Sequence, residues 1–376
     1  MFIKSCNNQN KELTLSIYNN NVALVNELRD LFKGKVINTI EYCDISKFIY
    51  ENSVIIENVE VSQLNFNYKC CNNDKNKSEN SSCNDCLSSF VNSIDIEVDS
   101  INSKNIRVYY LTAGVKWDSS YTLILNENKL SMQSWINISN KSGISYNHAN
   151  LKCISGEVNF DSLSPIPYSK TSYANSEAVE NPKLQPLDDY YIYNLSGKYI
   201  LENNSTKRIK NFSAENIEYT KLYDFGYYNT NADILIKLNN TEDNNLGIPM
   251  PSGTVNIYAS LNDSLQFLGS DSIKNTPINQ ELNLNIGKAF DITCERKIIN
   301  YQKYDNYEFK EIELIINNSK DEDVPIKICY PIFAPWEITS TTDNYEKDSN
   351  GNPCFKVKVS ANSKKRILFT YKTKIS

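Results

Sequence analysis

Histidine is almost missing from this chain: His148 is the only one in 376 residues. No other side chain titrates near neutrality without a large shift, so a Ser-His or Cys-His arrangement would have to be built on that residue. It lies in the run Ser145-Tyr-Asn-His-Ala149, which reads as a turn, where a histidine is ordinarily solvated or locally hydrogen-bonded. Imidazole acid–base catalysis is therefore not expected, and neither is a catalytic zinc centre, which mostly draws on two or more imidazoles. An excess of positive charge is also missing. Lys and Arg number 39 against 45 Asp and Glu, a net charge of −6, and the one basic run is Lys364-Lys-Arg366. That is the wrong sign for a phosphate-neutralising surface, so nucleic acid is not an expected partner. Apolar runs such as Ser53-Val-Ile-Ile-Glu57 and Ile312-Glu-Leu-Ile-Ile316 are far short of the roughly 20 residues of a membrane-spanning helix. The stretch Met1–Glu12 carries neither an apolar h-region nor a small-residue cleavage site, which predicts synthesis in the cytoplasm without a secretory signal. Ten cysteines complicate that default, because disulfides would form after release from the cell or in an outer cell or spore layer.

What the chain does have is alternation. Apolar and polar residues exchange with period 2 in Leu13–Tyr18, Val59–Phe66, Ile94–Val98, Ile234–Leu238 and Cys354–Ser360, with Asn, Asp, Gly and Ser between the segments. Such segments are half-buried strands, and hardly any window sustains a period of 3.6. The pattern predicts an all-β protein of two or three antiparallel β-sandwich domains. Two stretches break it. Residues 70–88 are polar and carry four cysteines, as suits a long exposed loop. Residues 161–187 hold Pro165, Pro167, Pro182 and Pro186 among Ser, Asn and Ala, as suits an extended connector. The expected division is an N-terminal β domain over 1–165, a connector over 166–187, a middle sandwich over 188–289 and a C-terminal sandwich over 290–376, the last boundary following Ile286-Gly-Lys-Ala-Phe-Asp291.

One group of segments has a wider likeness. Tyr109-Tyr-Leu-Thr-Ala-Gly-Val-Lys-Trp117, Leu130-Ser-Met-Gln-Ser-Trp135-Ile-Asn-Ile-Ser-Asn140 and Ala149-Asn-Leu-Lys-Cys-Ile-Ser-Gly156 read as strand, turn, strand, strand. With Leu246-Gly-Ile-Pro249-Met-Pro251-Ser-Gly253, Asn275-Thr-Pro277 and Trp336-Glu-Ile338 in order behind them, they resemble the β-rich C-terminal domain of a mucoidy inhibitor A-like bacterial family. That domain is of unknown function, so the resemblance implies a fold class and no reaction. The N-terminal domain and coiled coil of that family have no counterpart in these residues, since the β pattern begins by residue 13. The small-barrel-like insertion that relatives tend to carry is replaced between Tyr68 and Ile94 by the short cysteine loop.

Candidate sites stand beside that frame. Cys70, Cys71, Cys83 and Cys86 are spaced C-C-x11-C-x2-C. Zinc is one reading, but adjacent thiols on an extended strand point to opposite faces. Disulfides within or between chains are a second reading and free thiols a third, with Cys6 able to bridge to a neighbour. Cys43, Cys153, Cys294, Cys329 and Cys354 read as small core residues. Trp135 sits among polar neighbours on its strand face and is expected at a domain interface; Lys288 and Asp291, flanking Phe290 at the domain junction, read first as a strand-end turn with a surface ion pair and second as part of an interface. The Gly247–Gly253 segment reads as a rigid turn rather than a phosphate loop, because its prolines lack the N–H groups such a loop needs. No nucleophile–base constellation and no cofactor fingerprint is visible. The expectation is a non-enzymatic structural or self-assembling protein whose partners are itself or other proteins. A carbohydrate- or peptide-binding module built on the 25 tyrosines comes second, and an unrecognised carboxylate hydrolase third.

Overall fold

The computed structural model describes residues 2–6, 10–31, 38–70, 89–100, 103–156, 183–187, 190–262, 264–333 and 335–374. Among them, strands account for nearly all regular structure, and the helical turns Glu51–Ser53 and Glu242–Asn244 are single 3-10 turns. In chain order the strands are β1 (Phe2–Ser5), β2 (Asn10–Tyr18), β3 (Val22–Asp30), β4 (Thr39–Cys43), β5 (Ile55–Glu57), β6 (Glu60–Cys70), β7 (Ser89–Ser100), β8 (Asn105–Ala113), β9 (Val115–Asn126), β10 (Lys129–Asn140), β11 (Tyr146–Ser155), β12 (Lys183–Leu187) and β13 (Tyr190–Leu201). They continue with β14 (Ser205–Glu218), β15 (Thr220–Phe225), β16 (Asn231–Asn239), β17 (Gly253–Leu261), β18 (Ser264–Ile273), β19 (Glu281–Tyr304), β20 (Tyr307–Asn318), β21 (Val324–Cys329), β22 (Trp336–Thr341), β23 (Tyr345–Lys347), β24 (Pro353–Val359) and β25 (Ser363–Lys374). The alternation read from the sequence is the alternation of the sheets. Ile106, Val108 and Tyr110 of β8 are fully buried, while Asn105, Arg107 and Tyr109 between them are partly exposed.

The chain forms two compact units, residues 1–120 with 134–212, and residues 121–133 with 213–376. In the first unit a four-stranded sheet, β1-β4-β7-β6, and a seven-stranded sheet, β12-β13-β11-β2-β3-β8-β5, contribute to one core. Ile40, Tyr42 and Ile96 come from the smaller sheet, Leu15, Val25 and Val108 from the larger, and Trp117 and Ile138 from β9 and β10. The second unit is built on a nine-stranded sheet, β22-β25-β20-β19-β16-β15-β21-β24-β23, whose two ends share a core. Phe355 of β24 and Phe369 of β25, far apart in strand order, pack with tilted rings whose centroids are 5.2 Å apart. A five-stranded sheet runs β14-β10-β9-β17-β18.

Three expectations change. The sheets are mixed rather than purely antiparallel, since β1 with β4, β2 with β11 and β15 with β21 run parallel. The connector is not the boundary: most of 166–187 lies outside the described residues, but its end is β12, hydrogen-bonded to β13 within the first unit. Pro186 is tolerated there because β12 is an edge strand. Nor does the chain divide near 290, which is the interior of the 24-residue strand β19.

Candidate functional site

The long strand β19 creates the most unusual surface. Its first part pairs with β16 as far as Thr293, and the Cys294 N–H donates to Thr230 O at 2.7 Å. Arg296 then closes that side by donating to Asn229 O at 2.6 Å and Gly226 O at 2.8 Å. Beyond it, Lys297–Tyr304 keeps its antiparallel ladder with β20 on one side and meets no strand on the other among the described residues. The turn to β20 is a two-residue loop with Asp305 at φ 46°, as tight hairpins require. Every residue from Lys297 to Tyr304 is exposed, so both faces of the segment are wet. Ile298 is 58% exposed, Tyr301 52% and Tyr304 60%, an unusual load of apolar side chains on an open edge. A register shift between Ile298 and Asn300 sets Ile298 and Ile299 side by side. Hydrophilic relief is local: Lys297 bonds Glu295 at 2.7 Å, and Tyr301 OH donates to Glu308 at 2.8 Å.

Lys288 and Asp291 lie on the same strand, closer to the body. Lys288 faces Asp233 of β16 at 3.8 Å rather than pairing with Asp291, and Phe290 between them is 90% exposed. The turn expected there is continuous strand. Trp135 is half-buried and covered within its own unit by the Arg208 guanidinium, 4.6 Å from the ring centroid.

His148 sits in a cleft of about 570 Å³ lined by Asn10, Lys11, Glu12, Ser145, Asn147 and Lys198 among others. The residue occupies the left-handed region at φ 55°, in the irregular stretch between Tyr146 and Ala149 where the β11–β13 register shifts. The turn read from the sequence is therefore a bulge inside a strand, which re-aims the imidazole. Glu12, the carboxylate among those residues, is held by Arg107 at 2.9 Å. A smaller cleft in the second unit, about 260 Å³, holds Asp224, Asp233, Asp348 and Lys327. Asp224 is paired with Lys327 at 3.1 Å. Burial works to raise the Asp348 carboxyl, but hydrogen bonds from Tyr227 OH and the Asn350 and Asn352 N–H groups outweigh it and hold it below its usual value. That carboxylate is poised as an anion, not as a general acid.

Cys71, Cys83 and Cys86 lie outside the described residues, while Cys70 ends β6 opposite Ser89. Cys329 and Cys354, expected as core thiols, form a disulfide across β21 and β24 where the register sets them opposite. Cys43, Cys153 and Cys294 are buried thiols as expected, and burial raises the Cys153 thiol.

Two buried polar arrangements escaped sequence reasoning. Arg29, 0% exposed, donates to Ser5 O at 3.0 Å, Cys43 O at 2.7 Å and Asn10 Oδ1 at 3.0 Å, pairs with Glu27, and lies over the Tyr42 ring at 3.8 Å. Tyr42 OH also donates to Glu27. Burial works against the Arg29 charge, but Glu27 and the surrounding tyrosines more than compensate and raise it. The second is a buried asparagine at or just beyond a strand end, found three times. Asn140 donates to Ile144 O, Leu201 O and Glu202 O; Asn240 to Ile248 O and Pro277 O; Asn318 to Glu322 O, Val359 O and Ser360 O. Asn240 Oδ1 also accepts from Gly247 N, which confirms the turn reading of that segment. Gly247 is at φ +77°, and a Cβ there would stand 2.9 Å from Glu242 N, so only glycine fits.

No protein-family model matches the chain, and no curated protein matches it.

Proposed function

We propose that this chain is a non-catalytic β protein that assembles with copies of itself by strand pairing at the open edge of β19. The observation that carries the reading is the segment Lys297–Tyr304, whose outer ladder groups meet no strand among the described residues while Ile298, Ile299, Tyr301 and Tyr304 stand exposed on both faces. Backbone hydrogen bonds along such an edge supply affinity, and apolar side chains on alternating faces supply register. The likeness to the mucoidy inhibitor A-like family is carried as part of this proposal; it supports a β scaffold and brings no reaction. Placement in an outer cell or spore layer after cytoplasmic synthesis belongs to the same reading.

The test is size-exclusion light scattering with negative-stain microscopy of the full chain. A defined oligomer or filament is expected, and Ile298→Lys with Tyr301→Lys is expected to return it to monomer while the far-ultraviolet spectrum stays unchanged. A wild-type chain that remains monomeric up to about 100 μM would remove the proposal, since interfaces worth calling specific hold at μM levels.

The His148 cleft favours a second reading as a carbohydrate- or peptide-binding module. Its volume of about 570 Å³ suits a small ligand, and its lining offers amide, hydroxyl and ammonium groups to a polar one. A glycan and peptide screen read by histidine chemical shift tests it cleanly, because one imidazole gives one signal. A carboxylate hydrolase ranks third.

A further inference from the structure

We infer that Cys6 and Cys43 are a reversible dithiol–disulfide couple within one chain, closing the first strand onto the buried arginine of the first unit. The inference is independent of the assembly proposal. Strand β1 runs parallel to β4 with Ser5 opposite Tyr42, so one step along the same register sets Cys6 opposite Cys43. Register neighbours on adjacent strands lie about 4.8 Å apart at Cα and point to the same face, inside the range a disulfide spans. The side chains follow that geometry: the two sulfurs and an Asp44 carboxylate oxygen all lie within 4.8 Å of one another. Cys43 is buried and its Sγ donates to Ser5 O at 3.1 Å, whereas Cys6 is partly exposed. An external reagent therefore reaches Cys6 first. The Cys43 thiol is pushed up to about 12, by burial first and then by its hydrogen bond with Cys6, so it acts as the resolving partner.

The chemistry needs a two-electron oxidant, taken here as a small-molecule disulfide. The Cys6 thiolate attacks one sulfur of that disulfide, forming a mixed disulfide and releasing one thiolate. The Cys43 sulfur, giving up its proton, then attacks Cys6 Sγ and displaces the second. Two protein thiols and one disulfide become one protein disulfide and two small thiols. The link closes over the carbonyls of Ser5 and Cys43, both of which accept from Arg29. Among the described residues three protein ligand atoms meet here, one fewer than a closed structural zinc site takes.

The experiment oxidises the full chain with excess oxidised glutathione, blocks remaining thiols with N-ethylmaleimide under denaturing conditions, and maps tryptic peptides by mass. Expected is a linked pair of the peptides Ser5–Lys11 and Val36–Lys47, lost on reduction, with cleavage after Lys4 and Lys11 in the folded chain slowed at least threefold in the oxidised form. Cys43→Ser should instead leave Cys6 as a glutathione adduct. Because that variant can misfold, Cys6→Ser is run beside it and should leave Cys43 alkylated only after unfolding. Full alkylation of both cysteines after oxidation overturns the inference. So does Cys6 linked to a cysteine of a second copy, or one chelator-removable zinc per chain protecting both thiols.

Discussion

Asn318 is the clearest case of a single side chain holding a loop. Its amide donates to three carbonyls from two chain segments, 2.9 to 3.2 Å away, at 0% exposure. Removing it strands buried carbonyls at about 1–3 kcal/mol each, so Asn318→Ala is expected to cost about 2–4 kcal/mol in urea unfolding. Asn317→Ala next to it, a half-buried residue whose amide donates to Ser319 Oγ at 2.8 Å, should cost less than about 1 kcal/mol. Arg29 is a second such residue. Arg29→Met leaves Glu27 charged and buried, and the expected loss is about 3–5 kcal/mol, with the double variant Glu27→Leu/Arg29→Met recovering a large part of it. Alkaline pH acts on the same region. Burial pushes Cys43 up to about 12 from a usual 9.0, and burial followed by Glu27 raises Tyr42. A group raised on folding contributes fully below its unfolded value and loses that contribution as pH climbs to the folded one. Under reductant the urea midpoint should hold from pH 7 to about 9 and fall beyond it, and a midpoint still flat at pH 11 would contradict the burial argument.

At the scale of elements, legibility in the sequence followed alternation. β2 and β24 each set a drier face against a wetter one, and period 2 found them directly. Lys297-Ile-Ile-Asn-Tyr-Gln-Lys-Tyr304 has no such pattern because neither of its faces is buried, so the sequence offered no cue that it was strand, still less an open edge. The parallel pairing of β1 with β4 joins segments about 37 residues apart, beyond any local signal. The buried asparagines were hidden for a different reason: Asn beside Lys, Ser and Gly reads as a turn, and burial does not show in residue type. Trp135 stood out in the sequence by its polar neighbours, and the group over its ring is the Arg208 guanidinium. Trp135→Ala and Arg208→Ala in a double-mutant cycle should couple by about 0.5–1 kcal/mol.

For the molecule as a whole, far-ultraviolet circular dichroism should give a β spectrum with helix well below the base rate of about one third. The division into units has another effect, on the order in which the chain can mature. Strands β9, β10 and β14 each cross the boundary, and the second unit takes Tyr121–Gln133 from between two pieces of the first. That hairpin is finished early, yet Tyr121 OH is anchored on Pro251 O at 2.7 Å, and β9 pairs with β17, which starts at Gly253. At roughly 5–20 residues per second the ribosome needs about 6–25 s to bridge that gap. Throughout it, Leu123, Leu125, Leu130 and Met132, all buried in the finished protein, face water without their cover. Translation itself thus builds a waiting time into every copy, during which a sticky hairpin has to be shielded. A fragment ending at Phe212 freezes the chain in that state, and it should bind a hydrophobic dye and aggregate where the full chain does neither.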